Sequence, residues 1–348
     1  MSSSKIKAII YALLAAVFYA VNVPISKLLL DHVDETTMAA LLYLGAGIGI
    51  SILSVFMKKD RKGSEKLSGN DLPYVIGMIV LDIAAPIFLM TGISRGTSAN
   101  ASLLGNFEIV ATTVIALMVF KEAVSKRLWL AIGLITLASV LLSLEGTESF
   151  SFSYGSLFVL TATLCWGFEN NCTRKISSKS TYEIVILKGI FSGMGALAIA
   201  FIKQESMPEW KYIAVALILG FAAYGLSIFL YVRAQNVLGA AKTSTYYAVA
   251  PFVGAFLSFV FLKESLSWTY IIALIVMLAG SVVIVIDTLI RHHIHEHQHT
   301  FVHTHDGSTH EHTIAHTHDH AHYITESKHG HHHTKLELER ELGAMHAG

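Results

Sequence analysis

The sequence predicts an all-α polytopic membrane protein. Ten transmembrane helices form two inverted five-helix repeats, followed by a disordered His-rich cytoplasmic tail. Three observations carry this expectation. The first is composition: of 348 residues, 53% are hydrophobic and only 14% are charged, against about 25% charged in an ordinary soluble domain. The second is grouping, since the apolar residues fall into stretches of roughly 20, the length that spans a bilayer core as a helix. The third is internal similarity between the two halves, taken up below.

In chain order the spans are 8–30, 36–57, 72–94, 98–120, 127–145, 154–175, 181–202, 211–234, 239–262 and 268–290. Backbone polar groups in lipid must bond within their own segment, so each span is read as a helix. The first begins near Ala8 without a small-residue cleavage site followed by a soluble domain, and reads as a retained helix. Short loops join the rest. Trp129, Trp210 and Trp268 stand at span starts, where amphipathic rings favour the interface.

Lys and Arg orient the chain. With the N-terminus inside, inner segments hold Lys5 and Lys7, the run Lys58, Lys59, Arg61, Lys62 and Lys66, then Lys121, Lys126, Arg127, Arg174, Lys175, Lys179, Arg233, Lys242 and Arg291. The outer loops hold only Arg95, Lys203, Lys211 and Lys263. The positive-inside bias therefore puts both termini in the cytoplasm, across a plasma membrane of bacterial or archaeal type.

The halves match in four places, in order and at nearly constant separation. "YAVN" from Tyr19 pairs with "WGFE" from Trp166. Gly45-x-x-x-Gly49 pairs with Gly189-x-x-x-Gly193, and "PIFLM" from Pro86 with "SIFLY" from Ser227. "MVFKE" ending at Glu122 pairs with "FVFLKE" ending at Glu264. Each repeat has five spans, an odd number, so the second copy enters the membrane from the opposite side. Inverted repeats are the build of secondary transporters that alternately expose a midplane site. The Gly-x-x-x-Gly pairs let helices approach closely. A homodimer is among the assemblies such a chain could form.

These residues resemble the drug/metabolite transporter superfamily, EamA type. The match rests on "ASLLGNFEIV" (Ala101 to Val110) with "VFKE", on "AVAPFVGAFLSFVFLKE" (Ala248 to Glu264), and on "CWGFENNCTRK" opening the second repeat. It implies a first EamA-like repeat over 8–145, a second over 154–290 and a tail over 291–348. It also implies transport of a small solute such as an amino acid, metabolite, nucleotide-linked sugar, drug or cation. The usual Leu-Glu-Pro of the fourth helix appears as Phe107-Glu108-Ile109, and the second copy keeps Pro251 with Ala250 in place of Glu.

An ionisable group near the bilayer centre costs several kcal/mol and is a functional candidate by default. Asp82, Glu108 and Glu169 are such groups, with Lys188 or Lys27 as partners. Burial lets a carboxylate bind and release a proton near neutral pH, which suits a proton-coupled exporter with Glu108 and Glu169 in coupling or substrate contact. The alternative is an ion pair that holds helices in register. Asn22, Asn100, Asn106, Asn170 and Asn171 add neutral polarity. Tyr246 and Tyr247, next to Pro251, could line a cavity. Cys165, Glu169 and Cys172 share a helical face but fall short of a complete metal site, and buried Cys is commonly a small hydrophobe.

All but one of the 19 histidines follow Arg291. His293, His295, His297 and His299, then His303 and His305, His310 and His312, and finally His316, His318, His320 and His322 form His-x-His ladders. His331 to His333 form a further cluster. The alternation is unlike an uninterrupted purification tag. Spacing of two puts imidazoles on one side of an extended chain, where they can bind Zn, Ni or Co. Tail acids (Glu296, Asp306, Glu311, Asp319, Glu326, Glu337, Glu339, Glu341) outnumber Arg291, Lys328, Lys335 and Arg340. A short helix is expected near Lys335 to Leu342.

Three functions compete. One is export of a small organic metabolite by alternating access, with a divalent-metal-binding tail. Another is efflux of Ni, Co or Zn, the tail capturing cargo for Asp82, Glu108 and Glu169. The third is a metal-responsive membrane sensor. The sequence has no P-loop, nucleophile motif or HExxH, so no enzyme activity and no required cofactor is expected. The acidic tail argues against nucleic acid.

Overall fold

The computed structural model describes residues 3–56, 67–120, 125–145, 151–176, 179–238, 246–264, 267–305 and 308–323. The loop cations 58–66, Lys121, Lys242, His331 to His333 and the helix expected near Lys335 lie outside the described residues, as does Glu122. The chain divides into two units, 1–285 and 286–348.

The first unit is helical. Its elements are α1 (Ser3–Ala20), α2 (Asn22–Leu29), α3 (Glu35–Phe56), α4 (Leu72–Arg95), α5 (Ser98–Leu104), α6 (Phe107–Phe120) and α7 (Lys126–Ser143). A two-residue ladder, Leu144–Glu145 with Ser151–Phe152, joins the halves. Next come α8 (Tyr154–Ile176), α9 (Thr181–Ile202), α10 (Trp210–Gly220), α11 (Ser227–Leu238), α12 (Ala250–Leu262) and α13 (Trp268–Leu289). Among the described residues six passages are long and apolar enough to cross a membrane, and shorter apolar helices lie at Ala250–Leu262 and Trp268–Ile284.

Several expected continuous spans are interrupted, each for a local reason. The first breaks at Val21, three residues before Pro24, which has no N–H to continue the ladder. The fourth breaks at Gly105–Asn106, where bonding tightens to the three-residue pattern: Asn106 N donates to Leu103 O and Glu108 N to Gly105 O. The eighth carries a π segment, Phe221–Leu226. The ninth turns at Ala248–Val249, immediately before Pro251.

Each of the main helix contacts joins one repeat to the other. α3 packs on α9, and α5 on α12; α4 packs on α8, and the repeat-related pair, α11 and α1, pack together likewise. Small residues make these approaches possible. On α1, Ala8, Ala12, Ala15, Ala16 and Ala20 form the buried stripe, while Ile6, Ile10, Leu13, Leu14 and Val17 face outward where lipid would cover them. A Cβ on Gly189 would sit 2.4 Å from Gly47 N, and one on Gly45 would sit 2.1 Å from Leu217 O. Gly189→Ala should therefore force α3 and α9 apart, at a cost of about 1–3 kcal/mol. Gly133→Ala, with open space around it, should leave thermal unfolding in detergent unchanged.

Two glutamates fasten helix starts across the repeats. Glu264, closing "FVFLKE", accepts from Ser98 N at 2.7 Å and Ala99 N at 2.8 Å at the start of α5. Glu205 accepts from Thr37 N at 2.8 Å at the start of α3, and from Lys203 Nζ at 2.6 Å. Burial pushes the Glu205 carboxyl up, but these donors prevail and hold it below the usual range. Carboxylates at helix N-termini satisfy orphan N–H groups and complement the dipole.

The described part of the second unit holds the His-rich ladders. Ile290–His305 pairs antiparallel with Ser308–Tyr323, in the register His293 with His320, His295 with His318, His297 with His316 and His303 with His310. The period-two alternation with Thr, Ile and Val that sets the imidazoles apart also suits a strand. The side chains of this hairpin lie outside what the structure describes.

Candidate functional site

The breaks of the fourth and ninth spans meet at one cavity of about 150 Å³. From the α5–α6 break come Ser102, Gly105, Asn106 and Glu108; from the turn before α12 come Tyr247, Ala248 and Pro251. Tyr19 of α1 and Trp166 of α8 complete its aromatic part. Interrupted helices expose backbone and polar side chains at membrane depth, which lipid tolerates only around a cavity or buried in protein.

Among the described residues Glu108 is the lone carboxylate of the lining. Asn170 Nδ2 donates to its Oε1 at 2.7 Å and to Thr112 Oγ1 at 3.2 Å. Asn171 instead donates to backbone, Gly167 O at 2.8 Å and Thr112 O at 3.2 Å. Asn100 donates to Leu142 O at 3.2 Å. Asn106 Nδ2 donates to Leu103 O at 3.3 Å, which leaves its buried Oδ1 without a partner, in a residue that lines the cavity.

Asp82 and Glu169 lie apart from Glu108, in a second cluster. Lys188 Nζ stands 3.0 Å from Glu169 Oε1 and 3.2 Å from Asp82 Oδ2. Asp82 is 0% exposed and Glu169 1%. Thr173 donates to Glu169, and Tyr43 OH donates to Asp82 Oδ1 at 2.8 Å. Among the described residues the cluster holds two carboxylates against one ammonium, one negative charge too many for a low-dielectric interior. Trp166 Nε1 donates to Tyr43 OH at 3.4 Å. The cavity wall and the ion cluster are thus two hydrogen bonds apart.

Lys27 takes no part in that cluster. Its Nζ donates to Ile93 O at 2.6 Å and Gly96 O at 2.8 Å, closing the C-terminal end of α4. Asn22 is buried and donates to Tyr224 OH at 3.0 Å. Tyr224 packs on Tyr43 with ring centroids 5.2 Å apart. Asn22 occupies the position that matches Glu169 in the repeat, so the first half carries a neutral network where the second carries a charged one.

Tyr246 is absent from the lining, and its neighbour Tyr247 is present. One residue turns a helix by a third of a circle, which sequence spacing around a helix break does not fix. Cys165 and Cys172 pack among apolar side chains, and no group of three metal-ligating side chains converges among the described residues. Tyr19, Tyr43, Trp166 and Tyr224 were not singled out as site residues. The available signal was the repeat itself, which aligns Tyr19 with Trp166, and the placement of Trp166 mid-helix away from the interface.

The family model for the EamA-like transporter family matches residues 6–144 and 153–286. The chain belongs to that family. This EamA-family protein is 25% identical over 285 residues to an uncharacterized transporter of Methanothermobacter thermautotrophicus, covering 76% of this chain and 82% of the relative. It is 23% identical to one of Clostridium kluyveri (80% and 92% covered) and 21% identical to transporter YyaM of Bacillus subtilis (70% and 82%). A crystal structure titled only as that of a protein shares the fold at a TM-score of 0.59 and 14% identity, covering 82% of this chain and 97% of that one. This EamA-family protein is accordingly an integral multi-pass membrane transporter.

Proposed function

We propose that the protein is a secondary-active exporter of a small organic metabolite, working by alternating access and coupled to protons, with both termini cytoplasmic. The carrying observation is the cavity framed by one broken helix from each repeat. Rocking one repeat against the other would open such a site to either side in turn. A proton on the Asp82–Glu169–Lys188 cluster removes its excess charge. Losing that proton makes the buried cluster costly, which biases the conformational equilibrium.

Metal efflux is the second reading, and the tail favours it. The hairpin register brings imidazole-bearing residues of two strands to shared rungs, which supports binding of Zn, Ni or Co by the tail. The cavity supports the organic cargo instead, because among the described residues its lining offers one carboxylate and no imidazole or thiol. We assign the tail a metal-binding, regulatory part.

Flux in proteoliposomes, full-length against a chain ending at Ile290, separates these. Organic export predicts solute flux with or without the tail and no movement of Ni, Co or Zn. Saturable metal flux that weakens without the tail would establish the second reading. A metal-responsive sensor would bind ions and move nothing.

A further inference from the structure

Among the described residues the charge of the lining is one-sided. Glu108 presents a carboxylate, and Asn106 Oδ1 and Ser102 Oγ are buried without hydrogen-bond partners. The Asn106 amide cannot turn round: Leu103 O only accepts, so the NH₂ must face it and the carbonyl oxygen must face the other way. Buried orphan polar groups of this kind cost about 1–3 kcal/mol each unless a partner meets them, a donor for the Asn106 oxygen and either kind for the Ser102 hydroxyl. Tyr19, Trp166 and Tyr247 supply ring surface around the same space.

Among the described residues the lining has no Lys, Arg or His. The nearest candidates are spoken for, Lys27 by the carbonyls of α4 and Lys188 by Asp82 and Glu169. A carboxylate or phosphate on the cargo would be desolvated without a partner, which costs several kcal/mol. A cavity of about 150 Å³ matches one that accepts a single benzene ring.

We propose that the cavity binds a small protonated primary amine with an apolar body of about one ring. The ammonium donates to Glu108, Asn106 Oδ1 and Ser102 Oγ, and the body lies against Tyr19, Trp166 and Tyr247, whose ring faces also favour a cation. The inference rests on the transporter reading and narrows its cargo. Zwitterionic amino acids are excluded by their carboxylate.

The test uses the full-length protein in detergent and in proteoliposomes, with benzylamine, phenylalanine and benzoate as probes. Benzylamine should raise the unfolding temperature and exchange across the membrane. Phenylalanine and benzoate should bind at least about tenfold more weakly, a difference of about 1.4 kcal/mol. Asn106→Leu should weaken benzylamine binding by a similar factor, while Asn106→Asp, which keeps an acceptor there, should preserve it. Binding of phenylalanine or benzoate equal to or better than benzylamine overturns the proposal and leaves the transporter reading intact. Selective benzylamine binding without flux sustains the proposal and removes the transporter reading. Absence of benzylamine binding to the folded protein overturns the proposal outright.

Discussion

Glu108→Gln is expected to lower pH-gradient-driven export by at least about 100-fold while the protein remains folded. The loss follows from the chemistry of the site. The amide keeps an oxygen for Asn170 Nδ2, which donates to Glu108 Oε1 at 2.7 Å, so the α6–α8 contact survives. What disappears is the only charge of the cavity lining among the described residues, and with it a charge-assisted bond worth about 1.5–3 kcal/mol. It also removes a group that can exchange a proton for cargo. Thermal unfolding in detergent should be unchanged or slightly higher, because a buried neutral amide is cheaper to desolvate than a carboxylate. The measurement is solute flux against an imposed pH gradient, alongside unfolding temperature. Transport by Glu108→Gln that still responds to the gradient as the wild type does would sink the coupling role of this residue.

Lys188→Met should have the largest effect on stability. Lys188 alone, among the described residues, faces both Asp82 and Glu169. Its removal leaves two carboxylates buried side by side, and breaking a buried pair in this way costs about 3–5 kcal/mol. The deficit should shrink as pH falls, since protons can replace the missing ammonium and the folded state then binds more protons than the unfolded one. Asp82→Asn with Glu169→Gln in the same chain should restore most of the lost unfolding temperature. Such recovery distinguishes electrostatics from a packing defect at the α4–α9 contact. A Lys188→Met protein as stable as the wild type at neutral pH would refute the charge account. The triple variant, though folded, should transport without a pH dependence from this cluster.

The comparison of expectation with structure is sharpest at individual residues. Asp82, Glu108, Glu169 and Lys188 were legible because charge in an apolar run is costly wherever it stands. Their grouping was not. Spacing along the chain gave Lys188 and Lys27 equal standing as partners, and the packing of α4 on α8 gave the acids to Lys188 and left Lys27 to the carbonyls of α4. Glu108, assigned with Glu169 to one task, belongs to a different cluster. Tyr247 lines the cavity and Tyr246 does not, because the rotation of a helix after a break depends on what packs against it.

The tail shows the same division. Its alternating imidazoles are plain in the sequence, but alternation is compatible with both an adaptable chain and a strand. Pairing of 290–305 with 308–323 depends on a partner segment, which local composition does not name.

What the residues alone settled is that the chain lives in lipid, folds as two related halves and carries charge inside. Hydropathy, period and repetition act locally and accumulate along the sequence. Which acid meets which base, where helices break open and which rings enclose the cavity were decided only in three dimensions. Those choices turn on ångström-scale approaches between helices of opposite repeats, such as Gly189 against Gly47. Such contacts exist only once both halves are packed.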